Sequence, residues 1–282
     1  MLLLDAPAKV NLSLRILGKR EDGFHELETL MVPVSLTDTL TLETDSTGGL
    51  DFSCDAVDLP VDETNLVVKA VRSLEAHCGR AFDLKVHLAK RIPSGAGLGG
   101  GSSDAALVLE GVNRVLDLGL NQETLVSLAS GLGSDIPFFL YRRPCQCKGR
   151  GEIIEPVSVD GPPTSIMLLK PDYPIATPWA YQAWAGSDGA IDFDQSPQDL
   201  GWCSLVNDLE RPVFKKFPFL GQLKSWLRDQ DETQGALLSG SGSTVFAVLK
   251  DPGAGPALTA KVAKRYEGCL WTFVGELTGL NG

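Results

Sequence analysis

No apolar run in this chain approaches the roughly 18 residues that a membrane-spanning helix requires, so none is expected. Positive charge is also scarce. Lys and Arg total 25 against 36 Asp and Glu, for a net charge of −11, which argues against a nucleic-acid or anionic-membrane surface built on a basic patch. An acidic protein that binds phosphate must do so through backbone amides and a few placed lysines. Close cysteine pairs are nearly missing: of Cys54, Cys78, Cys145, Cys147, Cys203 and Cys269, only Cys145 and Cys147 are neighbours. C-x-C without a second pair or nearby histidines is poor metal-site chemistry, and reduced, mostly buried thiols are expected. The start, Met-Leu-Leu-Leu-Asp-Ala-Pro, has no basic region ahead of an apolar core. That predicts no secretory signal and a cytoplasmic location. There is no internal repeat.

What is present is a chain of 282 residues, 43% hydrophobic, enough for a large core and more comfortable as two domains than one. Its most informative stretch is Pro93 to Ala106, Pro-Ser-Gly-Ala-Gly-Leu-Gly-Gly-Gly-Ser-Ser-Asp-Ala-Ala. Upstream, Phe82, Leu84, Val86 and Leu88 alternate with polar residues as in a half-buried strand; downstream, Ala105, Leu109, Val112 and Leu116 recur at helical spacing. Ser103 or Asp104 can cap that helix. Glycines between a strand and a helix let successive amides turn toward one point, beside the positive end of the helix dipole. A flexible linker would not need such neighbours. The stretch reads as a phosphate cradle.

Three familiar cradles fit poorly. Gly95, Gly97 and Gly100 satisfy G-x-G-x-x-G, but Asp117, near the spacing of a dinucleotide fold's acidic residue, falls at the end of a helix pattern rather than a second strand. The Gly-Lys-Ser/Thr of a Walker loop is missing, as is the Val-Ala-Ile-Lys-like strand of a protein kinase.

Elsewhere, Val10, Leu12, Leu14 and Ile16 alternate as a strand that puts Lys9 and Asn11 on one face. Leu40 and Leu42 mark another strand, Leu66 to Leu74 a helix ended by Gly79, and Asn121 opens a helix closed by Gly131 or Gly133. Asp135 then precedes an apolar run, Phe138 to Leu140, read as a strand. A carboxylate beside Ile136 and Phe138 must be paired with a cation or used, and Lys9 is the obvious partner. A turn-rich stretch from Gly149 to Pro163 puts a domain boundary near residue 160. Beyond it come a strand at Ile166–Leu169, a loop from about Pro171 to Pro197, and a helix around Leu223–Leu227. A glycine-serine turn at Ser239–Thr244, suited to a tight turn or to a ligand, leads into a strand at Val245–Val248. A helix at Ala257–Tyr266 and a strand at Leu270–Val274 close the chain. Strands and helices mix without regular βα alternation, which predicts α+β.

Together these residues resemble the GHMP kinases, a family of small-molecule ATP kinases, over essentially the whole chain. Ala6-Pro-Ala-Lys9-Val-Asn11-Leu is similar to the family's first motif, Pro93 to Ala106 to its second and Leu237 to Val248 to its third. Further marks resemble the branch that acts on cytidine diphosphate-linked methylerythritol: Arg20-Glu-Asp-Gly-Phe24-His25, Thr64-Asn65-Leu66, Gly133-Ser-Asp135-Ile-Pro137, Gly149-Arg-Gly-Glu152 and Asn207-Asp-Leu-Glu210.

The resemblance implies a two-domain GHMP kinase fold, α+β, with a nucleotide-binding domain over 1–160, a C-terminal α+β domain over 161–282, and the active site in the cleft between them. It implies ATP and Mg2+ as cofactors and transfer of a phosphoryl group to the substrate's 2-hydroxyl. Asp135 is the implied general base; Lys9 holds it ionised and screens the incoming phosphoryl. Pro93, Ser94, Gly95, Ala96, Gly97, Leu98, Gly99, Gly100, Gly101, Ser102 and Ser103 wrap the ATP phosphates, with Ser102 or Ser103 near magnesium, to which no carboxylate can be matched. Asn11 contacts the substrate near its hydroxyl, Phe24 and His25 take the cytosine, and Asn65 and Leu66 border the adenine. Position 24 is more often tyrosine in that branch, so the ring must serve by stacking alone. The implied partner is a small molecule, with no nucleic acid and no membrane, bound by a monomer or homodimer. Competing readings are a homoserine- or mevalonate-type kinase, or a non-catalytic nucleotide-binding relative that would have no use for a base.

Overall fold

Two compact units make up the chain, and neither is a single stretch of sequence: one holds Met1–Ala8, Leu36–Pro93 and Gly99–Arg142, the other Lys9–Ser35, Ser94–Leu98 and Arg143–Gly282. The structure, a computed structural model, describes residues 1–44, 48–187 and 191–280. Strands β1 (Leu2–Lys19) and β2 (His25–Glu43) are each divided between the units.

In the first unit, β3 (Leu50–Cys54), α1 (Leu66–Cys78), β4 (Leu84–Ala89), α2 (Gly100–Val115), α3 (Gln122–Leu132) and α4 (Ile136–Phe139) follow in order. The end of β2 pairs antiparallel with β4, Leu40 opposite Leu88 and Leu42 opposite Val86, and β3 runs parallel to β4. These residues alternate between a buried face and exposed Lys85 and His87, the period-2 pattern visible in the sequence. Helix α1 ends as its sequence suggests, with Gly79 in a left-handed conformation, and its N-cap is Asn65, which accepts the Val67 N–H at 2.9 Å.

Helix α2 departs from expectation at its start. Gly99, at φ 72°, is its N-cap, and no side chain caps it. Ser103 and Asp104 lie inside the helix and are buried. The run after Asp135 is another departure. Ile136–Phe139 is a single helical turn with Pro137 near its start, not a strand; a short apolar run carries no decisive period, and a proline at the first helical turn tips it to helix.

The second unit adds β5 (Cys145–Gly149), β6 (Ile153–Pro156), β7 (Ser165–Pro171), α5 (Thr177–Trp184), β8 (Gln198–Asp199), β9 (Ser204–Asn207), α6 (Glu210–Lys216), α7 (Pro218–Arg228), β10 (Thr233–Leu238), β11 (Val245–Leu249), α8 (Ala254–Tyr266) and β12 (Leu270–Glu276). Here β1 pairs in parallel with β9, and β5 lies antiparallel to β2 at Leu27–Met31. A second sheet runs β10-β11-β7-β12, antiparallel throughout. Every residue of β7 and β11 is buried, so these central strands carry apolar side chains on both faces. Met167, Leu169, Val245 and Ala247 pack on one of them with Phe214 of α6, Leu223 of α7 and Leu258 of α8.

The stretch read as a loop from 171 to 197 contains α5; residues 188–190 within it lie outside the described residues. Pro178 in its first turn suits a helix start. No disulfide joins the six cysteines; Cys145 and Cys147 are buried and Cys269 is exposed.

Candidate active site

Lys9 lies on β1 and is only 4% exposed. Its ammonium donates to Asn11 Oδ1 at 2.6 Å, as the strand period requires of residues two apart. Asn11 in turn donates to Thr29 Oγ1 of β2 at 2.8 Å, and Thr29 donates to the Ser13 carbonyl at 2.6 Å. A buried ammonium of this kind is held by hydrogen bonds to acceptors that cannot move away.

The first half of the glycine loop belongs to the same unit. Lys9 N–H donates to the Leu98 carbonyl at 2.9 Å, anchoring the loop to β1. On the other side it meets the turn between β10 and β11. Ser239 Oγ donates to the Gly97 carbonyl at 3.0 Å, and Thr244 N–H to the Ala96 carbonyl at 3.1 Å. Gly97 has φ 76°, and a Cβ there would sit 2.2 Å from the Ser239 carbonyl oxygen. Only glycine fits at this crossing. The Ser239–Thr244 turn, ambiguous in the sequence, is thus built onto the glycine loop. At Gly240 a Cβ would stand 3.2 Å from Asn11 Oδ1 and 3.4 Å from Lys9 Nζ. The first and third motifs therefore converge on one place together with Ser94–Leu98.

His25 opens β2, 8% exposed. Its ring is offset-stacked on Tyr181 of α5, with centroids 5.8 Å apart, and meets Trp184 edge-on at 5.6 Å. Its Nε2 is buried without a hydrogen-bond partner among the described residues. Burial, then the charge of Lys19, lowers its pKa, so the ring is held neutral. Phe24 behaves differently. It is 52% exposed and carries the Arg150 guanidinium over its ring at 4.7 Å. Tyr181 and Trp184 give no signal in the sequence because they fall where a loop is expected, and Arg150 enters there only within Gly149-Arg-Gly-Glu152.

In the other unit, α2 supplies the second half of the loop. The amides of Gly100, Gly101 and Ser102 have no carbonyl one turn back to bond. Gly101 is exposed, and a methyl group added there would meet nothing nearer than Leu66 at 3.7 Å. This is a helix N-terminus with room for an anion. Ser102 is half-buried, whereas Ser103 is fully buried with its hydroxyl unpartnered among the described residues. Beneath the turn, Lys90 Nζ bonds Asp38 and Asp104, the latter at 2.8 Å, so its charge is committed and does not face a phosphate. Asp38 also accepts the N–H groups of Arg91 and Ile92 at 2.5 and 2.8 Å. Asn65 is spent on its cap and on the Pro60 carbonyl at 2.7 Å. Asp135 is half-buried at the start of α4, and its carboxylate does not cap that turn.

A family model for the GHMP kinases N terminal domain matches residues 65–143, and one for the GHMP kinases C terminal region matches 196–268. A Methylacidiphilum infernorum (isolate V4) protein named 4-diphosphocytidyl-2-C-methyl-D-erythritol kinase is 45% identical over 252 residues, 88% of this chain and 86% of its own length. A Syntrophotalea carbinolica protein of the same name is 39% identical, covering 92% and 94%. The crystal structure of a 4-(cytidine 5'-diphospho)-2C-methyl-D-erythritol kinase superposes with a TM-score of 0.82 at 34% identity, all of both chains covered. Homoserine kinase from Cytophaga hutchinsonii, at 17% identity and a TM-score of 0.67, shares the fold. With a glycine loop, a lysine strand and a glycine-serine turn joined as described, and relatives of this similarity along its length, the chain belongs to the GHMP kinases.

Proposed function

We propose that the chain transfers the γ-phosphoryl group of ATP to the 2-hydroxyl of 4-diphosphocytidyl-2-C-methyl-D-erythritol, a step of isoprenoid precursor synthesis by the non-mevalonate route. One observation carries the cytidine part of this reading: the buried, unpartnered Nε2 of His25 beside Tyr181 and Trp184. A buried ring nitrogen without a partner is costly. A pyrimidine edge supplies a hydrogen bond, and the aromatic neighbours give its face an apolar wall. Phe24, capped on one side by Arg150, offers its remaining exposed surface to the same base.

Phosphoryl transfer asks mainly for positioning and charge neutralisation. In this reading residues 93–103 wrap the ATP phosphates, the amides of Gly100, Gly101 and Ser102 donating to them, Lys9 neutralises charge on the transferred group, and Asn11 orients the acceptor hydroxyl. Asp135 accepts the hydroxyl proton, and Asn65 and Leu66 border the adenine. The side chains do not by themselves make a magnesium site. Asp104 is bound to Lys90 and Ser103 is shut away; among the described residues no three His, Cys, Asp or Glu converge. We assign no step to the ion, whose usual place in such reactions is on the phosphates. A boundary between N- and C-terminal domains near residue 160 falls between the two family-model matches. Cysteines outside disulfides and an acidic composition suit the cytoplasm.

The test is ADP release by the purified protein with ATP and this substrate, with homoserine beside it. Turnover of homoserine alone overturns the assignment. Asp135→Asn should retain nucleotide binding and lose roughly 100-fold or more in kcat, the contribution typical of a positioned base; wild-type turnover in that variant removes Asp135 from the role.

A further inference from the structure

Behind the Ser239–Thr244 turn lies a buried polar assembly that the reaction itself does not use. Asn207, at the end of β9, is 3% exposed. Its amide donates both hydrogens forward, to the carbonyls of Leu238 at 2.8 Å and Gly240 at 2.7 Å, while its oxygen accepts the Leu209 N–H at 2.9 Å. Three residues on, Glu210 opens α6, 1% exposed. Its Oε1 accepts the Leu238 N–H at 3.1 Å, and its Oε2 accepts a hydrogen bond from Lys224 of α7 at 2.5 Å. Lys224, itself 2% exposed, donates also to the Asp194 carbonyl at 3.1 Å. Leu238 is thereby gripped at both its N–H and its carbonyl, and Gly240 at its carbonyl.

An ion pair this deep adds little net stability, because desolvating two charges largely offsets their attraction. What its hydrogen bonds do hold is geometry. Here that geometry is the end of β10, two residues before the point where Gly240 passes Lys9 and Asn11 and one residue before Ser239 bonds Gly97. The motif Asn207-Asp-Leu-Glu210 is legible in the sequence, yet no substrate or nucleotide role falls to it.

We infer that Asn207 and the Glu210–Lys224 pair are positioning residues: they set the turn at Ser239–Gly242 against the phosphate loop and the Lys9–Asn11 pair. The inference rests on reading those two features as the phosphoryl-transfer site. A displaced turn alters the alignment of the transferred group. Helix α5, which carries Tyr181 and Trp184, meets the turn at its first residue, where the Thr177 and Ser241 hydroxyls lie 2.9 Å apart, while the two rings sit at its other end, so the His25 pocket is expected to keep its shape.

The experiment compares folded variants with the wild type, each checked by thermal unfolding, for kcat and for the KM of the cytidine substrate. Asn207→Asp preserves side-chain size and the acceptor for Leu209 but loses both donors. It should lower kcat by about tenfold or more, since misplacement on the ångström scale costs up to about 100-fold, while leaving the KM for the cytidine substrate within roughly twofold. Amide hydrogen exchange should rise in peptides spanning 94–98 and 239–244 and stay unchanged in β7 and β12. Two double variants remove both buried charges: Glu210→Gln with Lys224→Met keeps an acceptor for Leu238, and Glu210→Leu with Lys224→Met does not. The first should hold kcat within roughly twofold of wild type and the second should fall with Asn207→Asp, as expected if geometry rather than charge is what the pair supplies. Equal kcat in the two double variants, or wild-type kcat and exchange in folded Asn207→Asp, overturns the inference. Should the wild type fail to turn over the cytidine substrate, the functional reading falls, and the exchange pattern at 94–98 still decides the clasp.

Discussion

Gly97→Ala adds one methyl group at the point where the glycine loop crosses the β10–β11 turn. The methyl would lie 2.2 Å from the Ser239 carbonyl oxygen, where real contacts do not fall below 3.0 Å, and the obstacle is backbone. Neither side can yield by a rotamer change. The loop and the turn must separate, stretching the Ser239–Gly97 and Thr244–Ala96 hydrogen bonds. Holding alanine at φ 76° costs about 1–2 kcal/mol more. Two hydrogen bonds at about 1 kcal/mol each bring the expected destabilisation to about 3–4 kcal/mol. Because the displaced groups include the neighbours of Lys9, kcat/KM for ATP should fall by about 100-fold. A coupled ADP assay at saturating acceptor reads the kinetics, and denaturant unfolding reads the stability. Gly101→Ala is the control: its methyl meets only Leu66 at 3.7 Å and sits in a helix, so the fold gains up to about 1 kcal/mol while the KM for ATP rises. A Gly97→Ala protein with wild-type stability and kcat would refute the crossing as described.

His25→Ala should raise the KM of the cytidine substrate by about tenfold or more, the usual scale for losing a buried hydrogen bond and a ring contact, with the KM for ATP unchanged; an unchanged acceptor KM would sink the cytidine pocket. Burial pushes Asp104 up to about 7 against the pull of Lys90, with Asp38 adding to the rise. The folded protein therefore holds a proton that the unfolded chain releases, so this group's contribution to stability is present below about pH 4 and is lost as pH climbs through about 7. Asp104→Asn should flatten that part of the stability–pH curve measured by urea unfolding, and an unaltered slope would show that Asp104 does not titrate there.

Much of this is legible in the sequence where physics is local. The strand and helix flanking Pro93–Ala106 follow from period-2 and period-3.6 patterns, and Gly79, Asn121 and Gly133 mark helix ends because capping depends on a few neighbouring residues. Asp104 reads as a cap for the same local reason, and wrongly. A carboxylate at a helix start usually serves the free amides, and here Lys90, far back in sequence, claims it. The apolar run after Asp135 and the proline-rich stretch around α5 lack a sustained period, so their helices are set by packing.

The sequence by itself determined the chemistry available: glycines that can turn amides toward phosphate, a lysine and an asparagine on one strand face, a phenylalanine–histidine pair after Asp-Gly, and the motifs that mark the family. Only the tertiary structure decided which of these work together. Gly97 meets Ser239 across 142 residues, and Asn207 reaches Gly240 across 33. No pattern along the chain encodes such distances, because they arise when Leu14 and Ile16 of β1 share one core with the second sheet and its helices and the turns between strands come into hydrogen-bonding range.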